Sequence, residues 1–432
     1  MGFPHLLHLQ QDKTQTSSST CSVVVKASSS NMLLGVALIS VLCLISKTEA
    51  RPRIRKDNGV INTLVRDATN TFSINLFKAV MDGTPGNVII SPVSVSTLLA
   101  LIQQGALNNS RRQLSQVLFS GPRQLKEGYR KLIPDLLKAG ENGTLEFANG
   151  AFLMEGFEIL QEFKKVLSED FVSHLETVNF SESKEAANTI NSWVAKHTHN
   201  RIKTLISPES LSSDTRLVLA NAIYFKDLWK TPFIEKYTRD ESFYTQDGSE
   251  IKVPMMHLDG SLKMDFIESL KSQWVEIPFK GDQFSFLVIM PYNENGLDEL
   301  LKQFTAQHLN DIISNLKNTY ENKIYLSLPK FKLSTTTPLV PVLKQLGLID
   351  VFNMNSNING ISKEHLEVSD VIQKAEIEVD EKGVKATAAT GAVIETISAP
   401  LPFKVDHPFL VFIIDKKNSI PIFAGRITDP TK

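Results

Sequence analysis

Cysteine is nearly absent. Only Cys21 and Cys43 occur in 432 residues, both ahead of residue 51. Beyond that point there is no thiol for catalysis and no disulfide staple, so stability must come from packing. Charge of one sign is missing too. With 46 basic and 47 acidic side chains the net charge is -1, which offers no global attraction to nucleic acid or an anionic membrane. Long apolar runs are also missing: Met32 to Ile45 falls short of the roughly 20 residues that span a bilayer, so no stable membrane insertion is expected. Thr48-Glu49-Ala50 follows with small residues where a signal peptidase reads. Residues 32–50 are therefore expected to be a secretory signal cut after Ala50, and the protein to be extracellular. Residues 1–31 form an unusual polar, Ser/Thr-rich leader, read as lying outside the working protein with Met32 as an alternative start; the rival reading is a signal-anchor.

Chemistry-bearing motifs are scarce as well. No G-x-S-x-G elbow, H-E-x-x-H, P-loop or G-x-G-x-x-G occurs, so hydrolase, metalloprotease and nucleotide-binding readings lack their anchors. His197 and His199 are two apart, on opposite sides of any helix they occupy, which argues against a shared metal and for a polar surface role. The expectation is no enzyme activity, no metal and no cofactor.

What is present is pattern. No linker or charge block divides residues 60–432, so 51–432 reads as one large domain. Apolar spacing of three and four predicts helices over 61–81, 91–105, 122–138, 297–304 and 338–346. Strands are predicted at Leu217–Phe225, Trp274–Pro278, Phe284–Met290, Lys323–Leu328, Ala375–Val379, Phe409–Ile414 and Ile420–Ala424. Helices first and strands mixed in later, without βαβ alternation, give an α+β fold. Arg123, Lys126, Arg130 and Lys131 share the 122–138 helix, either as a glycosaminoglycan site or as a solvated basic face. In a secreted chain the sequons at Asn108, Asn142 and Asn179 are glycan acceptors, Asn179 being the least favoured because it stands between Val178 and Phe180 at a strand end.

The segment from Glu381 to Ser398 is odd for a loop: it holds small and β-branched residues and no proline until Pro400. With period-two alternation, Val384, Ala386, Ala388, Thr390, Ala392, Ile394 and Thr396 share an uncharged face, while Lys385 and Glu395 fall on the other. Such a segment suits a strand that is still waiting for a sheet. Together with Asn87-Val88-Ile89-Ile90-Ser91-Pro92, Asn149-Gly150-Ala151-Phe152, Ile190-Asn191-Ser192-Trp193, Leu219-Ala220-Asn221-Ala222 through Lys226 to Trp229, Leu328-Pro329-Lys330-Phe331, His407-Pro408-Phe409 and Phe423-Ala424-Gly425-Arg426, it resembles the serpins over nearly all of residues 60–432.

The resemblance implies helices packed around a large central mixed β-sheet plus smaller sheets, with an exposed reactive-centre loop over about 381–403. Its hinge would hold Glu381, Gly383, Val384, Ala386, Ala388 and Ala389. Counting on from Gly383 and back from Pro408 by the family's loop length reaches Ile397 from both ends, which places the reactive bond at Ile397-Ser398. Ser91, Ser94 and Asn221 fall where serpins keep a polar cluster beneath the sheet that must part; the plain reading, compatible with that role, is helix capping and buried polar satisfaction by the same groups. The histidine usual in that cluster is Gln373 here, which cannot become charged. Val384 stands where many inhibitory members have Thr or Ser. Glu381, Lys330 and Trp229 would latch the loop's base. The implied partner is a serine protease, trapped as a covalent acyl-enzyme by loop insertion, with the inhibitor monomeric in its active state. Ile397 suits elastase-like or chymotrypsin-like pockets. The alternative is a non-inhibitory serpin acting as carrier, chaperone or storage protein.

Overall fold

A computed structural model describes residues 60–140, 145–382 and 399–432. The helices are α1 (Thr63–Asp82), α2 (Pro92–Gly105), α3 (Asn108–Val117), α4 (Pro122–Gly140), α5 (Gln161–Val166), α6 (Ser183–His197), α7 (Leu297–Gln303), α8 (Ala306–Asn315) and α9 (Val340–Gln345). The strands interleaved with them are β1 (Val88–Ile90), β2 (Leu145–Met154), β3 (His174–Val178), β4 (Leu217–Phe225), β5 (Arg239–Tyr244), β6 (Glu250–Ile267) and β7 (Ser272–Pro278). They continue as β8 (Phe284–Pro291), β9 (Asn322–Pro329), β10 (Phe331–Pro338), β11 (Asp370–Val379), β12 (Leu401–Lys404), β13 (Phe409–Asp415) and β14 (Ile420–Ile427).

Local signals set the ends. Asn62 caps α1, its Oδ1 accepting from the Val65 amide at 2.9 Å. Pro92 opens α2, where its fixed φ and missing N–H cost nothing. Strands absent from the pattern reading are β1, only three residues long, and β2, β3, β5, β6, β10 and β12, which carry charges or prolines that blur period-two alternation, as Pro254 does in β6 and Glu146 in β2. Helices α3, α5, α6 and α8 went unread because they are short or polar on most faces.

Two sheets result. One is mixed and five-stranded, ordered β10-β11-β4-β2-β3, with β11–β4 and β2–β3 parallel and the other neighbours antiparallel. The other has nine strands, because β6 is long enough to pair with β5 and β9 over its first part and with β7 over its last.

Every residue of β4 is buried, and its alternation separates two cores. Leu217, Leu219, Ile223 and Phe225 join the main core under the nine-stranded sheet and α2, while Val218, Ala220, Ala222 and Tyr224 pack under α6. That is why β4 reads as an unbroken apolar run rather than an alternating one. Helix α6 lies very close to β2: a Cβ on Gly150 would meet the Trp193 ring at 2.8 Å, so only glycine fits.

Candidate functional site

The polar residues of the five-stranded sheet fall into a row. Asn149 pairs with Asn221 across β2–β4, and Gln373 pairs with Asn221 across the parallel β4–β11 seam. All three occupy the period-two positions that otherwise carry Leu, Ile, Val and Ala into the main core. Buried amides there must find partners. Gln373 Nε2 donates to Asn221 Oδ1 at 2.5 Å and to the Ser91 carbonyl at 2.9 Å, and its Oε1 accepts from the Ser91 amide at 2.8 Å. Asn221 Nδ2 in turn donates to Asn149 Oδ1. Ser91 Oγ contacts Ser94 Oγ at 2.9 Å and donates to the Ile422 carbonyl at 2.7 Å.

The structure thus brings Ser91, Ser94, Asn221 and Gln373 together. Ser91 sits at the cap of α2 without a side-chain cap bond, so of the plain reading side-chain capping falls away and buried polar satisfaction remains. Asn149 is the member that sequence reasoning missed; a lone amide in the core phase of an apolar run was the available signal.

Above this row the seam is closed by charge. β4 and β11 stay in register from Val218 opposite Asp370 to Phe225 opposite Ile377. Tyr224 Oη donates to Glu378 at 3.1 Å, and Lys226 pairs with Glu378 and, at 2.9 Å, with Asp380. Burial and then the facing Glu378 push the Tyr224 phenol up to about 12. Trp229 stacks on Phe279 at 4.5 Å and holds the chain leaving β11: its indole donates to the Asp380 carbonyl at 2.6 Å, its amide to the Lys382 carbonyl at 3.1 Å. Glu381 accepts from Lys330 at 2.8 Å and from Thr238 at 3.0 Å. Burial opposes ionisation of Glu381, but the Lys330 ammonium, a backbone amide and the Thr238 hydroxyl outweigh it and hold the carboxyl below its ordinary value. Lys226 does the same against burial for Glu378 and Asp380. Sequence reading had paired Lys330, Glu381 and Trp229 but missed Tyr224, Lys226, Thr238, Glu378 and Asp380.

The comparisons with known proteins bear on what this seam is. The sequence profile of the family described as Serpin (serine protease inhibitor) matches residues 67–430. The chain belongs to the serpin family. It is 33% identical to Antichymotrypsin-2 of Bombyx mori, over 84% of this chain and 98% of the relative. It is 32% identical to the leukocyte elastase inhibitor of Bos taurus, covering 84% of this chain and 99% of that one. Among solved structures, a Manduca sexta serpin, number 12, superposes with a TM-score of 0.77 at 30% identity, over 84% of this chain and 99% of that one.

Other expected sites of the serpin fall as follows. Gly383, Val384, Ala386, Ala388, Ala389, Ile397, Ser398 and Asn142 lie outside the described residues. Asn108 is exposed at the start of α3. Asn179 is half-buried just past β3, and its Oδ1 accepts from the Ser181 amide at 3.1 Å. On α4, Arg123 pairs with Glu127 at 3.1 Å and Arg130 with Asp170 at 3.7 Å. The His197 ring lies tilted against Trp193, centroids 4.7 Å apart, whereas His199 pairs with Glu146, so the two rings serve different partners. Among the described residues no group of three or more His, Cys, Asp or Glu side chains is arranged to hold a metal.

Proposed function

We propose that this serpin is a secreted suicide-substrate inhibitor of elastase-like or chymotrypsin-like proteases, with Ile397-Ser398 as its reactive bond. The observation that carries the reading is the β4–β11 seam: two directly bonded parallel strands, with the loop springing from the end of one. A strand that followed β11, turned back and entered the seam would run antiparallel to both neighbours, replacing one parallel ladder by two antiparallel ones, which are slightly more stable per residue. Insertion therefore has a driving force, and it is held off while Gln373–Asn221 and the Lys226, Trp229 and Lys330 contacts keep the seam shut.

In this reading the protease serine attacks the Ile397 carbonyl, the Ile397–Ser398 bond breaks, and the Ser398 amine leaves with a proton from the protease histidine. The ester that remains needs an intact oxyanion hole and triad for hydrolysis. Insertion of residues 383–396 drags the tethered protease and distorts both, so the acyl-enzyme persists. Glu381, Lys330 and Trp229 act as the latch at the point where the loop enters. Secretion, proposed on the apolar run at 32–45 and the small residues ending at Ala50, would make the sequons at Asn108 and Asn142 glycan acceptors; half-buried Asn179 is the weakest acceptor. Polyanion binding on α4 finds less support, because Arg123 and Arg130 are already paired.

The deciding experiment is incubation with elastase. A complex that survives SDS, with a released C-terminal peptide beginning at Ser398, is expected. Clean cleavage without a complex would favour the carrier or storage alternative, and a peptide beginning at Ile397 or Ala399 would move the bond. Ile397→Arg should abolish elastase inhibition and create inhibition of trypsin-like proteases.

A further inference from the structure

Gly150 lets two histidines meet. It leaves room for the Trp193 ring of α6 to lie against β2, and its partner across the β2–β3 ladder is His174. His197 follows Trp193 by four residues, so it shares that face of α6 and ends the helix over the same stretch of sheet. A three-ring cluster results. His174 stacks on Trp193 with centroids 5.0 Å apart, His197 lies tilted 4.7 Å from Trp193, and the two imidazoles are 6.2 Å from each other.

Each imidazole has one nitrogen committed as a donor. His197 Nδ1 meets the Trp193 carbonyl at 2.8 Å; a carbonyl only accepts, so Nδ1 carries the proton and Nε2 keeps its lone pair. His174 Nε2 donates to the Glu176 carboxylate at 2.8 Å, which leaves the lone pair on Nδ1. Those two lone-pair nitrogens have no hydrogen-bond partner among the described residues. A ring N–H held by a carboxylate or a backbone carbonyl, with the other nitrogen free, is how metal-ligating histidines are oriented. The spacing also permits a shared ion. With metal–nitrogen bonds of about 2.0–2.1 Å and about 1.2 Å from nitrogen to ring centre, two imidazoles on one ion have centroids at most about 6.5 Å apart. The observed 6.2 Å lies inside that limit. The His174 side chain is 34% exposed and His197 is at the surface, so water reaches the remaining positions.

We infer that His174 Nδ1 and His197 Nε2 bind one divalent transition-metal ion of the kind that imidazole prefers, Cu2+, Ni2+ or Zn2+, with water completing its coordination. Glu176 and the Trp193 carbonyl hold the two rings in the required tautomers. It is a two-ligand site, apart from the groups of three or more His, Cys, Asp or Glu that the described residues lack. The bound ion ties the last turn of α6 to β3, the strand at the end of the five-stranded sheet.

The test is a titration of the full chain with CuCl2, read by tryptophan emission, because Cu2+ quenches an adjacent indole and Trp193 is one of three tryptophans. Saturable quenching is expected, with Ni2+ and Zn2+ competing more weakly. His174→Gln and His197→Gln should each weaken Cu2+ binding at least about tenfold, and Glu176→Gln, which spares both ligands, about tenfold. Electron paramagnetic resonance of the Cu2+-loaded wild type needs no variant and should show two imidazole nitrogens on the copper; fewer than two overturns the site. Absence of saturable quenching in the wild type also overturns it, and leaves the rings as packing partners of Trp193. Quenching at wild-type affinity in both histidine variants overturns it by placing the ion elsewhere. Wild-type affinity in Glu176→Gln overturns the orienting part given to Glu176. A metal-free thermal midpoint equal to that of the wild type confirms that each variant is folded.

Discussion

The middle and the top of one seam are closed by opposite chemistry. At the middle, three neutral amides, Asn149, Asn221 and Gln373, bridge β2, β4 and β11 in full burial. At the top, Glu378, Asp380 and Glu381 meet Lys226 and Lys330, with Lys330 partly open to water. Neutral hydrogen bonds in a dry core fail all at once when one partner is lost, and they ignore pH and salt. Partly exposed ion pairs contribute less, and they respond to both. The seam therefore has a firm middle and a tunable top.

The largest expected effect comes from breaking the middle. Gln373→Leu would strand the Ser91 amide and Asn221 Oδ1, both buried, and leave the Ser91 carbonyl only the Val95 amide at 3.4 Å. At about 1–3 kcal/mol for an unsatisfied group, partly relieved by relaxation, the loss should be about 3–5 kcal/mol, a large share of a typical domain's stability. Urea unfolding checks this, and the deficit should be the same at pH 5 and pH 8. A deficit below 1 kcal/mol would mean that the row is not what holds the middle.

How much of this was legible beforehand follows from which residues carry local signals. The β4 run, the α1 and α2 boundaries and the Gln373 departure could be read directly, because burial on both faces, caps and a lone polar residue leave marks in the sequence. The joining of Asn149 to Asn221 was not legible, since register across antiparallel β2 and β4 depends on chain reversal far from either residue. Nor was Lys226 legible as a double partner of Glu378 and Asp380: half-buried long side chains take partners that only tertiary geometry supplies. Reading helices first and strands later also passed over β2 and β3: β2 is buried along nearly its whole length and β3 is short and polar, so neither shows the alternation that marks a strand.

The next effect comes from acid, and it should be confined to the top. Glu378, Asp380 and Glu381 have carboxyls held below their ordinary values of 4.5, 3.8 and 4.5. A carboxyl with a depressed folded pKa adds stability above its unfolded value, and that stability is lost as pH falls through the folded one. Exchange of the Trp229 amide, bonded to the Lys382 carbonyl, should thus accelerate relative to core amides as pH drops below about 4.5, after correction for intrinsic exchange. The amides paired around Gln373 should keep their protection over the same interval.

Gln373→His would move pH dependence into the middle. One ring nitrogen would have to accept from the Ser91 amide while the other donates to Asn221, which only the neutral ring can do. Burial and the facing N–H depress its pKa, so the unfolded chain binds more protons below about pH 6.5 and stability falls as pH drops through that point. A variant whose denaturation midpoint is flat from pH 8 to pH 5.5 would show that the row tolerates charge, and that the neutrality of Gln373 is incidental.

The smallest effect should come from Lys330→Ala. Its ammonium is the leading cause that offsets burial at Glu381, yet its side chain is 42% exposed, so the pair contributes only about 0–1 kcal/mol to global stability. Its consequence is local. Glu381 would keep Thr238 but lose its counter-charge, and its carboxyl would move up toward the ordinary value, so acid would loosen the loop's base at a higher pH than in the wild type. Urea midpoints for the two proteins should agree closely at pH 7.5, while the pH at which Trp229 amide exchange accelerates rises in the variant. Raising salt in the wild type should mimic part of that rise, because an exposed pair is screened. If the onset pH is the same in both proteins, Lys226 with Glu378 and Asp380 carries the top of the seam alone, and the Lys330–Glu381 pair is a surface contact without a role in holding the loop.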